Sequence, residues 1–300
     1  MTDAFAACEI CGVRDWTPVH RGDVRDGVFG RVRPDTSVAR CRGCGVDRLE
    51  EAACPDASFY ETERYRRKLQ EEVSTAGHYA VADELQVFTQ QVLWPRSLGD
   101  LIVADVGSAG GSFLDGVAGT AGRCVAVEPC TIYHESLRAR GYDVFPYAAN
   151  ARAAYEGRVD VAASIQVIEH TAHPRQFLAD IRPLLAPGGV LLISTPNRDD
   201  ILMKLLPQDF PSFFHRIVHR WYFDAASLAA CARHAGLEVI ETRHLHRYGM
   251  ANALAWLRDR RPSGRARLDG ISPLADQLWR GYLEDTGQSD NLYMLLRRAS

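Results

Sequence analysis

Two cysteine pairs of identical spacing, Cys8 with Cys11 in "CEICG" and Cys41 with Cys44 in "CRGCG", are the most chemically pointed residues of this chain. Thiolates three positions apart can face one ion, and the glycine after each pair, Gly12 and Gly45, tolerates the positive φ of a tight knuckle. Two knuckles complete a tetrahedron of thiolates and predict bound zinc, with iron in a rubredoxin-like site as the competitor. Four protein ligands leave no open coordination position, so the metal is expected to be structural and to hold a small N-terminal module. Cys54, Cys124, Cys130 and Cys231 are scattered, and in a reducing compartment the paired spacing points to metal rather than disulfides.

A second cluster is the stretch "LIVADVGSAGGSF", an apolar run ending in glycines. A dinucleotide-binding turn would read G-x-G-x-x-G, but counting from Gly107 puts Ala109 and Ser112 where the second and third glycines belong. Asp105, Gly107, Gly110 and Gly111 still form a turn in which a ligand can approach the backbone, with a helix N-terminus beyond it to favour an anion. Glu128 follows the next apolar run, where a carboxylate can accept from both hydroxyls of a ribose. Together they point to an adenosyl or dinucleotide cofactor, against the alternative of an ordinary tight turn and a surface glutamate.

The elements that must position these residues alternate. Strand-like runs at 101–106, 124–128, "YDVF", 159–167 and 189–195 are separated by helix-like runs such as "IYHESLRARG" and "RQFLADIRPLLA", which predicts a parallel sheet covered on both faces. Ligands of such sheets bind at the carboxyl ends of the strands. Upstream, from Cys54 to about Trp94, aromatic and charged residues give way to the apolar spacing of "ADELQVFTQQVL" and predict helices, with Pro95 and Gly99 as punctuation.

The run "VDVAASIQVIEHTAHPRQFLADIRPLLAPGGVLLISTPN" resembles the class I S-adenosylmethionine-dependent methyltransferases, whose fourth strand often ends in Glu-His before a proline and whose fifth follows L-x-P-G-G. The resemblance extends from about Leu101 to Leu296, with "RWYFDAASLAACARHAGLEVI" matching the helix before the sixth strand and "DNLYMLLRR" the last, antiparallel strand. It implies an α/β fold with a Rossmann-like, seven-stranded, mostly parallel sheet, preceded here by a zinc-ribbon-like module. The knuckles followed by "SFYETERY" are similar to the N-terminal module of methyltransferases in sugar, polysaccharide and natural-product biosynthesis. The expected division is a zinc module over 1–58, a helical connector over 59–99 and the methyltransferase domain over 100–300, with pocket-forming insertions at 197–222 and 246–288.

Carried over by position, the resemblance implies that Gly107, Ser108 and Gly111 line the methionine end of S-adenosylmethionine, that Glu128 holds the ribose, and that Pro129 lies near the adenine. It implies a contact from Asn150 to the adenine amine, and it brings Gln166 and Val167 to the methionine portion. Methyl transfer is direct displacement at an activated carbon, so most of the catalysis is alignment. A hydroxyl acceptor must also lose a proton, and His170, after Glu169, is expected to be the base, with His173, His215, His219, His244 and His246 as rivals. Some relatives hold a magnesium-type ion through Glu-x-x-Glu-His here, but Gln166 replaces the first acid, which weakens a metal reading. Phe213, Trp221, Tyr222, Tyr248 and Trp256 are candidate stacking surfaces, and the arginines from Arg258 to Arg267 read as a solvated loop or a phosphate contact.

Composition sets the bounds. Lys and Arg number 35 against 38 Asp and Glu, a net charge of −3, so no global basic field recruits nucleic acid or an anionic membrane. The N-terminal stretch lacks a targeting pattern, and no window approaches a membrane span, which together suggest a cytoplasmic protein. The expected partner is a small-molecule acceptor, a sugar or nucleotide-linked sugar among the candidates. The alternatives are an RNA- or protein-directed methyltransferase, or a non-catalytic zinc-containing interaction protein on a degenerate methyltransferase fold.

Overall fold

The computed structural model describes residues 5–56, 58–93, 97–264 and 267–299, without the side chains of 80–86, 90 and 91. Strands β1 (Trp16–Arg25), β2 (Val32–Cys41) and β3 (Asp47–Leu49) follow the first knuckle, and α1 (Ser58–Glu61), α2 (Arg64–Lys68) and α3 (Thr75–Leu93) form the helical stretch expected before the sheet. Trp94 and Pro95 lie outside the described residues.

The alternating region then runs β4 (Ile102–Val106), α4 (Ser112–Val117), β5 (Arg123–Val127), α5 (His134–Ala139), β6 (Asp143–Phe145), α6 (Ala148–Tyr155), β7 (Val159–Ile165), α7 (Pro174–Ile181) and β8 (Leu185–Pro196). It continues through α8 (Ile201–Leu205), α9 (Phe210–Phe214), β9 (Trp221–Tyr222), α10 (Ala225–His234), β10 (Leu237–Leu245), α11 (Met250–Asp259), α12 (Pro273–Asp285) and β11 (Asn291–Arg298). The main sheet has seven strands in the order β10-β11-β8-β7-β4-β5-β6. Only β11 runs against its neighbours, β8 and β10. Helices cover both faces because successive residues of these strands alternate: Ala104 and Val106 enter one buried cluster, Val103 the other.

The N-terminal sheet departs from the expected division of the chain. Its order is β1-β2-β3-β9, and β9 comes from the segment expected to be a pocket insertion. Asp47 pairs with Tyr222 and Arg48 with Trp221, and both aromatics are buried core rather than stacking surface. Cys8, Ile10, Cys41 and Val46 share one apolar cluster with Ala104, Leu191 and Phe223, so packing is continuous across residue 58. Arg198 bridges the two sheets, donating from Nη1 to Asp47 at 3.0 Å and from Nη2 to Asp224, with its side chain 7% exposed.

Candidate functional site

The four cysteines of the knuckles converge as their spacing requires. Cys8 and Cys44 sulfurs lie 3.6 Å apart, Cys11 and Cys41 3.5 Å apart, and all four fall within 4.8 Å of one another. Metal–sulfur bonds of about 2.3 Å in a tetrahedron give sulfur separations of about 3.8 Å, so the donor set fits one zinc-sized ion. Gly12 and Gly45 take φ of +78° and +79°, the left-handed turn each knuckle needs.

At the carboxyl end of β4 the chain turns through Gly107 at φ +87°, where a Cβ would meet Val167 at 2.3 Å. Glycine is therefore demanded by packing as well as by dihedral. Ala109 also sits at positive φ, +45°, and its amide donates to the Glu128 carboxylate at 2.7 Å. The other Glu128 oxygen accepts from Cys130 N–H, also at 2.7 Å. Glu128 is 6% exposed, and burial pushes its carboxyl up to about 7 despite the two amides. Asp105 beside it rises to about 8, through burial and then the charge of Glu128. Ser108 Oγ is buried with no hydrogen-bond partner, an orphaned polar atom on the same wall.

The carboxyl end of β7 builds the other half. Gln166 takes φ +56° and turns its amide back to the sheet, donating to Asn291 at 3.2 Å and to Ser194 at 3.4 Å. Glu169 is 1% exposed; one oxygen accepts from Thr195 Oγ1 at 3.2 Å, the other has no partner, and burial pushes the carboxyl up to about 8. His170 Nδ1 lies 2.6 Å from the Val218 carbonyl, which can only accept, so the ring proton sits on Nδ1 and Nε2 is left as the acceptor. Burial pushes His170 down to about 4, with Arg216 and Arg66 adding to the shift, so the imidazole is neutral at physiological pH. His219 packs edge-on at 4.8 Å between ring centroids.

One cavity of about 760 Å³ joins the two halves, lined by Ser108, Glu128 and Pro129 and by His170, Phe213, Tyr248 and Trp256. Asp105, Gly107 and Gln166 also line it. Gly111 does not: it caps α4 at φ +87° and faces Leu137 and Arg140. Asn150 is exposed on α6, outside the cavity wall, where Tyr147 and Ala148 stand instead. Among the rival histidines, His219 and His246 reach the wall, while His173 faces Glu9, His215 packs on Tyr222 and His244 lies near Ser289. Arg258 and Arg260 are exposed and paired with Asp259 and Asp209, as a solvated loop requires; Arg265 lies outside the described residues.

Sequence reasoning missed several wall residues. Tyr60 donates to the same Val218 carbonyl at 2.6 Å, Tyr65 packs on His170 at 5.4 Å, and His78 bonds Ser112 Oγ at 3.0 Å. The tyrosines lie in "SFYETERY", whose aromatic density was the available signal. Arg25, at the end of β1, carried none.

A family model described as a methyltransferase domain matches residues 63–242. The ubiquinone biosynthesis O-methyltransferase of Cereibacter sphaeroides is 26% identical over 189 residues, spanning 56% of this chain and 71% of its own. A probable S-adenosylmethionine-dependent methyltransferase of Mycolicibacterium smegmatis is 31% identical over 143 residues, 47% of this chain and 53% of its own. In solved structures, a chain of the complex between the Haloferax volcanii Trm112 methyltransferase activator and a methyltransferase superposes with a TM-score of 0.52 at 14% identity. The match covers 75% of this chain and 95% of that one, a likeness of fold. Among the described residues, no helix is long and apolar enough to cross a membrane.

Proposed function

Because the chain belongs to the methyltransferase-domain family and is an S-adenosylmethionine-dependent methyltransferase, we propose that it methylates a hydroxyl of a small molecule, with His170 as the base. The observation that carries this reading is one cavity lined by both Glu128 and His170, the latter with Nδ1 held by the Val218 carbonyl and Nε2 left as the acceptor. The residues present fit the cofactor: Glu128 keeps free lone pairs for ribose hydroxyls, and Ser108 Oγ is an unpartnered donor beside it. When bound, S-adenosylmethionine supplies an activated methyl on sulfur. His170 Nε2 takes the acceptor's hydroxyl proton as the new C–O bond forms and the C–S bond breaks; the Val218 carbonyl holds the ring in the tautomer that allows this. Phe213 and Trp256, edge-on at 5.1 Å, offer a wall for the acceptor's ring, a sugar or a natural-product intermediate. The O-methyltransferase name of the Cereibacter sphaeroides relative supports a hydroxyl acceptor.

The test is a panel of hydroxylated acceptors with labelled S-adenosylmethionine, native protein against His170→Gln. The variant should lose about 10²–10⁴ in kcat while keeping its affinity for S-adenosylhomocysteine. Unchanged kcat removes His170 from the base role.

A second reading has one specific support: a Glu169 oxygen and ring nitrogens of His170 and His219 lie within 4.8 Å of one another, a set that suits a divalent ion. The base is preferred because Arg216 and Arg66 already press positive charge on the His170 ring. Activity unchanged by EDTA and unaffected by added magnesium is the expected result, and loss with restoration reverses the preference. The four thiols are assigned to one structural zinc, which metal analysis of the purified protein should find at about one per chain.

A further inference from the structure

The acceptor end of the cavity holds two arginines for which methyl transfer itself has no use. Arg25 ends β1 and Arg216 lies between α9 and β9, and their backbones pair as a parallel bridge. Arg25 N–H donates to the His215 carbonyl at 3.0 Å and Ile217 N–H to the Arg25 carbonyl at 3.0 Å. Paired positions on neighbouring strands place their side chains on the same face. Both residues line the cavity.

Among the described residues no carboxylate pairs with either guanidinium, although the buried Glu169 carboxyl feels the charge of Arg216. The Nε atoms of Arg25 and Arg216 are buried without a hydrogen-bond partner, and neither group is in an ion pair among the described residues. The other two arginines of the wall differ: Arg66 is paired with Glu71 at 2.5 Å and Arg247 with Asp290 at 2.6 Å. Arg25 lies over the Phe213 ring, 4.2 Å from its centroid, which fixes the plane it presents. Burial and then the charge of Arg216 pull Arg25 down to about 9. Like charges placed opposite each other and partly desolvated are destabilising; the Phe213 ring faces Arg25 and the Glu169 carboxyl feels Arg216, but no ion pair among the described residues neutralises either group. An anion between them would. Arg216 lies two positions before Val218, whose carbonyl is 2.6 Å from His170 Nδ1, so one small molecule can present an acid group to the guanidiniums and a hydroxyl to His170.

We infer that the acceptor is an oxyanion, a carboxylate or phosphate whose acid group is held between Arg25 and Arg216 while its hydroxyl faces His170. The inference rests on the reading that this cavity holds the acceptor. It gives the N-terminal module a direct role, since β1 delivers one of the two guanidiniums.

Calorimetry on the full chain, loaded with S-adenosylhomocysteine, tests it with benzoate, phenyl phosphate and the neutral benzamide and benzyl alcohol. At least one anion should bind about tenfold or more tightly than its neutral counterpart, as a charge-assisted contact requires. The preference should fall to within about twofold in Arg25→Met and Arg216→Met and survive in part in Arg25→Lys. The anion that gains more names the acid. Equal binding of anions and neutral probes, binding by none of them, or a preference that survives both methionine variants overturns the inference. Thermal melts separate a structural role: removing an unpaired buried charge leaves Tm unchanged or raised, whereas a fall in both methionine variants makes the guanidiniums structural and ends the proposal. Cofactor uptake is read independently. A native protein that does not bind S-adenosylhomocysteine defeats the proposed function, while uptake without anion preference removes this inference alone.

Discussion

Replacing Glu128 with glutamine probes the cofactor end of the cavity one hydrogen bond at a time. In the native protein both carboxylate oxygens accept a backbone amide, Ala109 and Cys130 at 2.7 Å each. Glutamine offers one acceptor oxygen and sets an NH₂ against the other amide, leaving a buried N–H unpaired at a cost of about 1–3 kcal/mol. For a chain of this size that corresponds to a Tm lower by about 2–6 °C. The ribose loses at least one hydrogen bond to a charged acceptor, worth about 1.5–3 kcal/mol, so the Kd for S-adenosylhomocysteine should rise about 10- to 150-fold. Calorimetry with S-adenosylhomocysteine and a thermal melt read both numbers, and Glu156→Gln, at an exposed helix pair with Arg152, serves as the control. A folded Glu128→Gln protein that binds S-adenosylhomocysteine within about twofold of native refutes the assignment of Glu128 to the ribose.

Three further outcomes follow from the geometry. Ala109→Gly should be nearly neutral in stability and cofactor affinity, because relief of about 1–2 kcal/mol of left-handed strain is offset by the backbone entropy glycine loses; a large loss of S-adenosylhomocysteine binding would show that the Ala109 methyl contacts the ligand. Arg198→Met removes one of the two arginines on buried Asp47, which keeps its bidentate pair with Arg40, and takes the partner of Asp224, so denaturant melts should show about 1–3 kcal/mol of destabilisation, and no measurable loss would mean that the bridge does not tie the sheets together. Asp105, Glu128 and Asp200 are raised by burial to about 8, 7 and 7, so the folded state binds more protons than the unfolded chain above the ordinary carboxylate range and stability falls as pH rises through about 8. Buried His78 and His215, pulled down to about 4 and 3, oppose this only below about pH 6.5, where the unfolded chain takes up their protons. Cofactor-free Tm should therefore drop between about pH 6.5 and 9, and a steady rise over that window would refute the burial argument.

What was legible in the sequence was what local chain geometry or strand alternation decides. The knuckles converge because three-residue spacing and a following glycine set each sulfur pair, and β4, β5, β7 and β8 declare themselves by continuous apolar runs buried on both faces. Strand ends then carry their own residues to the site, which is why Asp105, Gly107, Ser108, Glu128 and His170 could be picked out and all line one cavity. Helix phase is harder to read from one sequence: the resemblance implies an adenine contact from Asn150, and the turn of α6 leaves it in solvent. Trp221 and Tyr222 looked like acceptor contacts because aromatic content does not say which sheet a two-residue strand joins.

Tertiary structure alone decided the surroundings of His170. Val218, Tyr60 and His170 meet through hydrogen bonds spanning 48 and 158 positions, and Arg25 meets Arg216 across a bridge between the N-terminal hairpin and the stretch before β9. Such pairings are set by how two sheets pack, and no periodicity along the chain encodes them. The sequence by itself therefore determined the methyltransferase core and its cofactor turn, where neighbours in space are near neighbours in sequence or lie at strand ends. That Arg25, Arg216 and His170 line one cavity is decided only when distant segments are brought against one another in the fold.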